Sequence, residues 1–252
     1  MEQVRKPFQG VMNIIRFNWH FYLITSVLVF AVFFVVHYFE PPFSNFIITV
    51  GILTSGSIVI SLLVSLYVYD ISELYSLNWI DKNNEESLIV NINAGFDETS
   101  YLLQNKFKSS ELIALDFYDP QKHTEVSIKR ARKAYPPFPK TKQIKTSNTG
   151  LADNSADKIL VILSAHEIRN EIERTDFFKE LRRVIKPTGQ IYVTEHLRDL
   201  SNFLAYNIGF FHFHAKASWL RSFNDANLTV KQEIKITPFI STYILDKNGN
   251  TL

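Results

Sequence analysis

Two long stretches without a charged residue dominate the first third of the chain. They run from Phe21 to Phe39 and from Phe46 to Tyr69. At about 1.5 Å per helical residue, each is long enough to cross a hydrocarbon core of roughly 30 Å. Paired prolines in the link EPPFSN end one helix and open a turn before the next. The pattern predicts a transmembrane hairpin at 21–39 and 46–69, preceded by a cytoplasmic or interfacial segment at 1–20.

Two alternatives to a transmembrane hairpin remain open. A cleaved signal peptide fits less well, because the first apolar run is too long and a second one follows it. A buried helical hairpin in a soluble protein would require a small domain to cover both helices on all sides. Small residues in the second span suit close packing against the first span or against a second copy; they are Gly51, Ser55, Ser57, Ser61 and Ser65.

The flanking charges predict the orientation of this hairpin. Arg5, Lys6 and Arg16 precede the first span, whereas the link carries Glu40 and neither Lys nor Arg. The excess of Lys and Arg marks the cytoplasmic side, so both termini and everything after Tyr69 are expected in the cytoplasm. The sequence VMNIIRFNW before the first span predicts an interfacial helix.

After a connector at 70–87, short apolar runs alternate with amphipathic stretches. Strands are predicted at 88–94, 111–117, 142–147, 158–165 and 190–196, with a closing pair at 230–236 and 239–245. Helices are predicted at 97–107, 124–135 and 177–185. This alternation predicts an α/β domain over 88–252, with a doubly wound, Rossmann-like sheet that binds ligands beyond the carboxyl ends of its strands.

Composition narrows the function further. The 252 residues include no cysteine, which excludes disulfides, thiolate metal sites and a cysteine nucleophile. The formal net charge of +2 gives no field that favours nucleic acid, and no nucleic-acid partner is expected. The region 122–145, however, holds eight Lys or Arg against the single acid Glu125. It is either a solvated basic helix or a surface attracted to anionic lipid headgroups.

Four passages of the α/β domain resemble class I S-adenosylmethionine-dependent methyltransferases. They are VNINAGFDETSYLL, ALDFYDP, LADNSADKILVILSAHEI and FFKELRRVIKPTGQIYVTEH, and the resemblance covers residues 85–246. It implies S-adenosylmethionine as the cofactor. It also implies a set of cofactor-binding residues: Asn93, Ala94, Gly95, Asp97, Asp116, Phe117, Asn148 and Ser164.

Asp116 has the most specific role in this resemblance. It ends the second strand, where the carboxylate of the family holds the ribose hydroxyls, and Phe117 would offer a ring face to adenine. A turn of small residues at 93–95 allows close approach of the cofactor to the backbone. The sequence departs from the family at Asn91, Asn93 and Asp97, where an acidic residue and two glycines are usual. These departures leave open a degenerate, non-catalytic domain.

Histidine and glutamate residues follow the fourth and fifth predicted strands, and two more histidines lie in an aromatic segment. They are His166, Glu167, Glu195 and His196, followed by His212 and His214. We predict His166 as general base and His196 as the residue that positions the acceptor, with Glu167 or Glu195 orienting an imidazole or binding a cationic headgroup. His212 and His214 are the alternative bases. Structural hydrogen bonding and a metal site are competing interpretations; the spacing matches no standard ligand motif, so no metal is predicted.

Together these features predict an integral membrane methyltransferase that acts on a lipophilic acceptor dissolved in the membrane. The apolar, aromatic segment 200–219 would line the acceptor pocket or a portal to the bilayer. Two alternatives remain: a membrane-anchored binding or assembly module without catalysis, and a tethered enzyme that acts on a soluble or protein substrate.

Overall fold

A seven-stranded sheet forms the centre of the protein, for which the computed structural model describes residues 5–83 and 85–247. The strand order is β3-β2-β1-β4-β5-β7-β6, with β1 to β5 parallel and β7 antiparallel to both of its neighbours. The strands are β1 Leu88–Asn93, β2 Glu111–Asp116, β3 Lys142–Gln143, β4 Ala156–Ile162, β5 Ile185–His196, β6 Leu228–Thr237 and β7 Ile240–Lys247. The predicted doubly wound α/β sheet is confirmed. Its strand order reverses between β1 and β4, the position at which such sheets bind ligands.

Seven α-helices accompany the sheet in the described chain. They are α1 Gln9–Phe39, α2 Ser44–Leu66, α3 Ser100–Lys106, α4 Val126–Ala134, α5 Glu171–Val184, α6 Leu200–Tyr206 and α7 Lys216–Asp225. Helix α5 begins six residues before its predicted start, because the Asn170 side chain accepts a hydrogen bond from the Glu173 amide and caps it.

Two predicted strands differ from the observed ones. Strand β3 has two residues instead of six, because a turn closed by the Asn148 amide and the Lys145 carbonyl follows it. Strand β5 starts at Ile185, five residues earlier than predicted, since Ile185 already pairs with Ala156 of β4.

The connector at 70–87 is part of the domain. Leu77 and Ile80 are each 1% exposed and pack with Leu103, Phe107 and Tyr192 on one face of the sheet. The opposite face is covered by α5 and α7, whose large buried side chains include Phe177, Leu181, Trp219 and Phe223. The connector therefore completes a core layer that α3 alone leaves uncovered.

Helices α1 and α2 form the predicted hairpin. Both are long and apolar enough, by length and composition, to cross a membrane, and only 6% of the residues in each apolar window are buried. The rest of the described chain therefore does not cover them, unlike a core hairpin. Gly51 of α2 faces the ring of Phe33 in α1, so at least one small residue serves packing within the hairpin.

The first two turns of α1, within the segment predicted to be interfacial, pack against the domain. A kink at Asn18, with φ of −114°, separates these turns from the apolar span. The carboxylate of Asp70, just after α2, accepts hydrogen bonds from the amides of Gly10 (2.7 Å) and Val11 (2.8 Å) and so caps α1. Helix α1 also packs on α4, where Arg130 donates to the Phe17 carbonyl at 2.6 Å.

Candidate active site

A cavity of about 300 Å³ lies between the carboxyl edge of the sheet and the first turns of α1. The floor is formed by side chains at the ends of the central strands, including Asn93, Leu163, His166 and His196. The roof is formed by α1 and includes Gly10, Asn13, Ile14 and Phe17. The site is thus built jointly by the α/β domain and the helix that leads into the apolar hairpin.

A larger groove of about 930 Å³ adjoins this cavity beyond β2 and β3. Tyr118, His123 and Ile144 line it, and Glu167 lines both spaces. The rings of Tyr118 and His123 stack with centroids 5.5 Å apart. A ligand that spans the two spaces would pass over the ends of β1 and β2.

The turn after β1 is tightly constrained. The Asn93 side chain donates to the Leu115 carbonyl at 3.1 Å and accepts from the Gly95 amide at 2.9 Å. Gly95 has a φ of +97°, and a Cβ atom there would lie 2.7 Å from Arg132 Nη1 and 2.9 Å from the ring of Tyr118. Glycine is therefore required by both backbone conformation and space, although two of the family's glycines are missing.

Asp116 lies at the end of β2, as predicted, and is 4% exposed. One carboxylate oxygen accepts from the Tyr118 amide at 2.8 Å, and the other lies 2.6 Å from Arg132 Nη1. These contacts fix the carboxylate at the sheet edge beside Gly95. A carboxylate can accept hydrogen bonds from the paired hydroxyls of a ribose, but at Asp116 the ribose would have to displace the Arg132 guanidinium.

Four other predicted cofactor residues are not placed as expected. Phe117 is 3% exposed and packs in the core against Phe177, so its ring face is not free for adenine. Asp97 accepts from the amides of Thr99 and Ser100 and so caps α3. The Ser164 hydroxyl is buried and donates to the Ile92 carbonyl. Asn148 is exposed on the turn after β3, where it accepts from the Gly150 amide.

Among these four, the three polar residues have local structural tasks because short polar side chains readily bond to nearby backbone, whereas Phe117 is part of the core. The remaining predictions are compatible with the geometry. Asn93, Ala94 and Gly95 form the turn after β1, and Asp116 faces the same edge. Of these residues Asn93 lines the cavity, and Asp116 and the Gly95 turn lie at the same edge of the sheet, so they are the ones that would hold an adenosine cofactor.

His166 and its acidic neighbours form one cluster. Its Nδ1 atom lies 2.7 Å from Glu195 Oε2, its amide donates to Glu195 Oε1 at 3.1 Å, and its Nε2 atom lies 3.4 Å from Glu167 Oε1. Burial disfavours the charged ring, but Glu195 and Glu167 outweigh this and raise the pKa of His166 to about 10. The two carboxylates thus favour the protonated ring, and the role of His166 as general base stays a prediction.

A residue with a strained backbone conformation precedes this cluster in the chain. Leu163 has a φ of +51°, an unusual conformation for a branched side chain, at the point where β4 ends. The following 3-10 turn, Ala165–Glu167, directs His166 and Glu167 to the cavity. Nothing in the hydrophobic pattern indicates this reversal.

His196 has a different environment and is 3% exposed. Its Nε2 atom lies 2.8 Å from the Tyr69 hydroxyl, and its Nδ1 atom lies 3.0 Å from Asn202 Oδ1. Because the Asn202 amide group donates to Asp199 and to the Phe239 carbonyl, Asn202 Oδ1 accepts from His196 Nδ1. Burial lowers the pKa of His196 to about 4, so its neutral Nε2 accepts from Tyr69.

The two histidines of the aromatic segment also differ. His214 lies 3.2 Å from Arg174 Nη1, and burial together with that guanidinium lowers its pKa to about 4. Arg174 itself is buried and holds Ser218 and Ser222, so His214 belongs to a structural network. His212 instead lies at the cavity, with its ring 5.0 Å from that of His166.

The hairpin and connector supply site residues that the sequence did not predict. Glu98 accepts from Arg5 (2.9 Å), Asn13 (3.3 Å) and the Tyr75 hydroxyl (2.8 Å) beside the cavity. Tyr69 reaches His196 from the end of the second apolar helix. In the sequence, the only indication of these contacts is the hydroxyl groups of Tyr69 and Tyr75, because a buried phenol needs a hydrogen-bond partner.

Comparisons with known proteins agree with this geometry. Residues 91–193 match the family model described as a methyltransferase domain. The fold is similar to a protein from Pyrococcus horikoshii OT3, with a TM-score of 0.53, 15% identity, and coverage of 70% of this chain and 89% of that chain. It is also similar to a SAM-dependent methyltransferase from Aquifex aeolicus, with a TM-score of 0.50, 14% identity, and coverage of 75% and 97%. No curated protein matches the sequence.

The family match and the fold indicate the class of protein. Residues 91–193 of the α/β part are similar to a methyltransferase domain, as the resemblance implied. This similarity supports S-adenosylmethionine as the cofactor. Asp116 and the turn at 93–95 are the residues that would hold it, and the bound cofactor would supply an electrophilic methyl group at the cavity.

Proposed function

We propose that the protein is a membrane-anchored methyltransferase that transfers a methyl group from S-adenosylmethionine to a lipophilic acceptor dissolved in the bilayer. One observation carries this proposal: the helix that roofs the cavity, α1, continues directly into an uncovered apolar span. A roof attached to a membrane helix places the cavity at the bilayer surface. Restriction to that surface raises the effective concentration of a membrane-dissolved acceptor.

A second apolar surface lies beside the hairpin and supports the same location. Helix α6 packs on α2, and the outer side of α6 and of the following 3-10 segment is apolar and exposed. Its exposed side chains are Leu200 (71%), Leu204 (63%), Ile208 (83%) and Phe211 (61%). The neighbouring residues His212 and Phe213 line the cavity. The apolar surface therefore leads from the hairpin to the site, as a route for a lipophilic acceptor would.

The basic helix α4 adds a contact with headgroups. It lies against the start of the hairpin, where Arg130 donates to the Phe17 carbonyl and lies 5.3 Å over the ring of Trp19. In the proposed orientation, with both termini cytoplasmic, the exposed side chains of Lys129 and Lys133 face anionic headgroups. Association of two copies through α2 stays a prediction.

Within the site, one set of residues binds the cofactor and another positions the acceptor. Asp116 and the Gly95 turn bind the cofactor, and the Tyr69–His196 pair positions the acceptor against it. Tyr69 lines the cavity and is held by neutral His196, so its phenol oxygen presents a fixed polar group to a ligand that is otherwise enclosed by Phe17, Phe96 and Phe213. Methyl transfer then depends mainly on in-line placement of the acceptor.

The test is incubation of the purified full-length protein, reconstituted in nanodiscs of total membrane lipid, with S-adenosylmethionine carrying a labelled methyl group. We expect the label in the lipid fraction, and mass spectrometry then identifies the product. An Asp116→Ala nanodisc preparation is the matched negative control. Label in soluble or protein fractions alone would favour a tethered enzyme with another substrate. Cofactor binding without any turnover would favour the non-catalytic module.

A further inference from the structure

We propose that His166, Glu167 and His212 bind a divalent transition-metal ion, with zinc the best match, at the wall of the cavity. One donor atom from each residue lies within 4.8 Å of the others. The Oε1 atom of Glu167 lies 3.4 Å from His166 Nε2 and 3.5 Å from His212 Nε2. With metal–ligand bonds of about 2.0–2.1 Å, neighbouring donors in a tetrahedral zinc site lie about 3.3 Å apart. These two separations therefore need little adjustment.

The other ring nitrogen of each histidine faces a carboxylate. Glu195 Oε2 lies 2.7 Å from His166 Nδ1, and Glu125 Oε1 lies 3.3 Å from His212 Nδ1. Glu195 is fully buried, so its position is fixed. A carboxylate on the remote nitrogen is the usual outer contact of a metal-binding histidine, because it sets the tautomer and directs the other nitrogen to the metal. The arrangement is complete at His166, whereas at His212 the Nδ1 atom lies near both Glu125 and the Arg169 guanidinium, whose Nη2 atom is 2.5 Å away.

The local charge also favours a cation. Three carboxylates, those of Glu125, Glu167 and Glu195, surround the two imidazoles. The guanidinium of Arg169 lies against the His212 ring, with Nη2 2.5 Å from Nδ1 and 2.9 Å from Nε2. Arg169 is exposed and its side chain is long, so it can turn into solvent when a metal takes its place. The arginine thus competes with the metal for His212.

Three protein ligands leave one tetrahedral position open, as in catalytic zinc sites. His166, Glu167 and His212 all line the cavity, so a ligand at this position can come from that space. The open position would bind an oxygen or nitrogen atom of the methyl acceptor. Only this last assignment rests on the proposed function, because metal binding itself does not require methyl transfer.

The test is metal binding to the full-length protein in detergent, stripped with a chelator and titrated with Zn²⁺ or Co²⁺ in the absence of cofactor. We expect one metal ion per chain by elemental analysis and a tetrahedral Co²⁺ absorption spectrum. Glu167→Gln and His212→Ala should abolish the spectrum, and Glu195→Gln should weaken binding about 10- to 100-fold. Arg169→Ala should tighten it. His37→Ala, which removes an exposed histidine of the hairpin, is the matched control.

Two results would overturn the site: a wild-type protein that binds neither metal, or ligand variants that bind as tightly as wild type. His212 is 29% exposed in its side chain, so His212→Ala is expected to fold, which an unchanged melting temperature would verify. Methyl transfer is then compared between metal-loaded and stripped protein. Equal rates would exclude acceptor binding by the metal. Metal binding with no transfer under any condition would instead contradict the proposed function.

Discussion

At the scale of single residues, Gly95 and Gly150 form a matched pair. Both have positive φ, +97° and +69°, so replacement by alanine strains the backbone at either position. A Cβ atom meets Arg132 and Tyr118 at Gly95 but nothing within 4 Å at Gly150. We expect both Ala variants to lose on the order of 1 kcal/mol of stability. Only Gly95→Ala should lose affinity for S-adenosylmethionine in calorimetry.

The affinity of Asp116→Ala for S-adenosylmethionine can be measured by the same calorimetry. Loss of hydrogen bonds from a charged group should weaken cofactor binding by about 1.5–3 kcal/mol, roughly 10- to 100-fold. If Gly95→Ala and Asp116→Ala both bound the cofactor as tightly as wild type, the cofactor site would lie elsewhere.

The Tyr69 hydroxyl gives a second residue-level prediction. Tyr69→Phe removes the group that His196 holds at 2.8 Å while it keeps the ring. We expect kcat/KM for the acceptor to fall about tenfold, the equivalent of one hydrogen bond, with an unchanged KM for the cofactor. Tyr67→Phe, on the exposed side of the same turn, should have no effect. A parallel rise in KM for the cofactor would indicate general disturbance of the cavity.

The neutral state of His196 predicts a pH dependence of stability. Its pKa is about 4 in the folded protein, against about 6.5 for an unperturbed imidazole. The unfolded chain thus binds more protons between these values, and the free energy of unfolding falls as pH decreases from 6.5 toward 4. The fall is up to about 3 kcal/mol. Denaturant titrations of His196→Gln should show a weaker pH dependence in this window; an identical slope would contradict a buried neutral ring.

At the scale of elements, the contact between α1 and the domain depends on Arg5. Its guanidinium bonds to Glu98 and to the Tyr69 carbonyl, each at 2.9 Å, and lies 3.5 Å over the ring of Tyr75. Arg5→Ala leaves Glu98 largely buried without its cation, so a loss of about 3 kcal/mol of stability is expected.

Hydrogen exchange provides the measurement at this scale. In Arg5→Ala, the amides of residues 9–17 should exchange faster, because the roof of the cavity is released. Arg16→Ala, at an exposed position of the same helix, should leave both exchange and melting temperature unchanged. Unchanged exchange in Arg5→Ala would mean that the Asp70 cap alone holds the roof.

The elements themselves were largely predictable, and the reasons are local. Strands β1, β2 and β4 are near-continuous apolar runs, which a buried parallel sheet requires. The shortness of β3 and the early start of β5 depend on pairing with neighbours, which a local pattern does not contain. For the site, the sequence predicted only that it lies at the carboxyl edge of the sheet. The Tyr69–His196 contact joins residues 127 positions apart, and in the sequence Tyr69 is only the last residue of the second apolar stretch.

At the scale of the whole molecule, the absence of cysteine makes topology directly measurable. Single cysteines can be introduced at Pro42 in the link and at Lys129 in the basic helix. In intact cells, a membrane-impermeant thiol reagent should label Pro42→Cys, whereas Lys129→Cys should react only after permeabilisation. The reverse pattern would place the methyltransferase domain outside the cytoplasm, away from its cofactor, and would contradict the proposed function.

For the proposed membrane-anchored protein, the kink at Asn18 has a mechanical consequence. Before the kink, α1 is held to the domain by hydrogen bonds to Asp70. After the kink, α1 is an apolar helix. When bilayer thickness changes, a mismatch between the length of an apolar helix and the thickness of the bilayer tilts the helix. The turns of α1 before the kink form the roof of the cavity. A tilt of the apolar part of α1 must therefore either bend the helix further at Asn18 or displace the roof. In the proposed membrane-anchored enzyme, the rate of methylation is therefore expected to respond to lipid chain length, so that activity would follow the thickness of the bilayer.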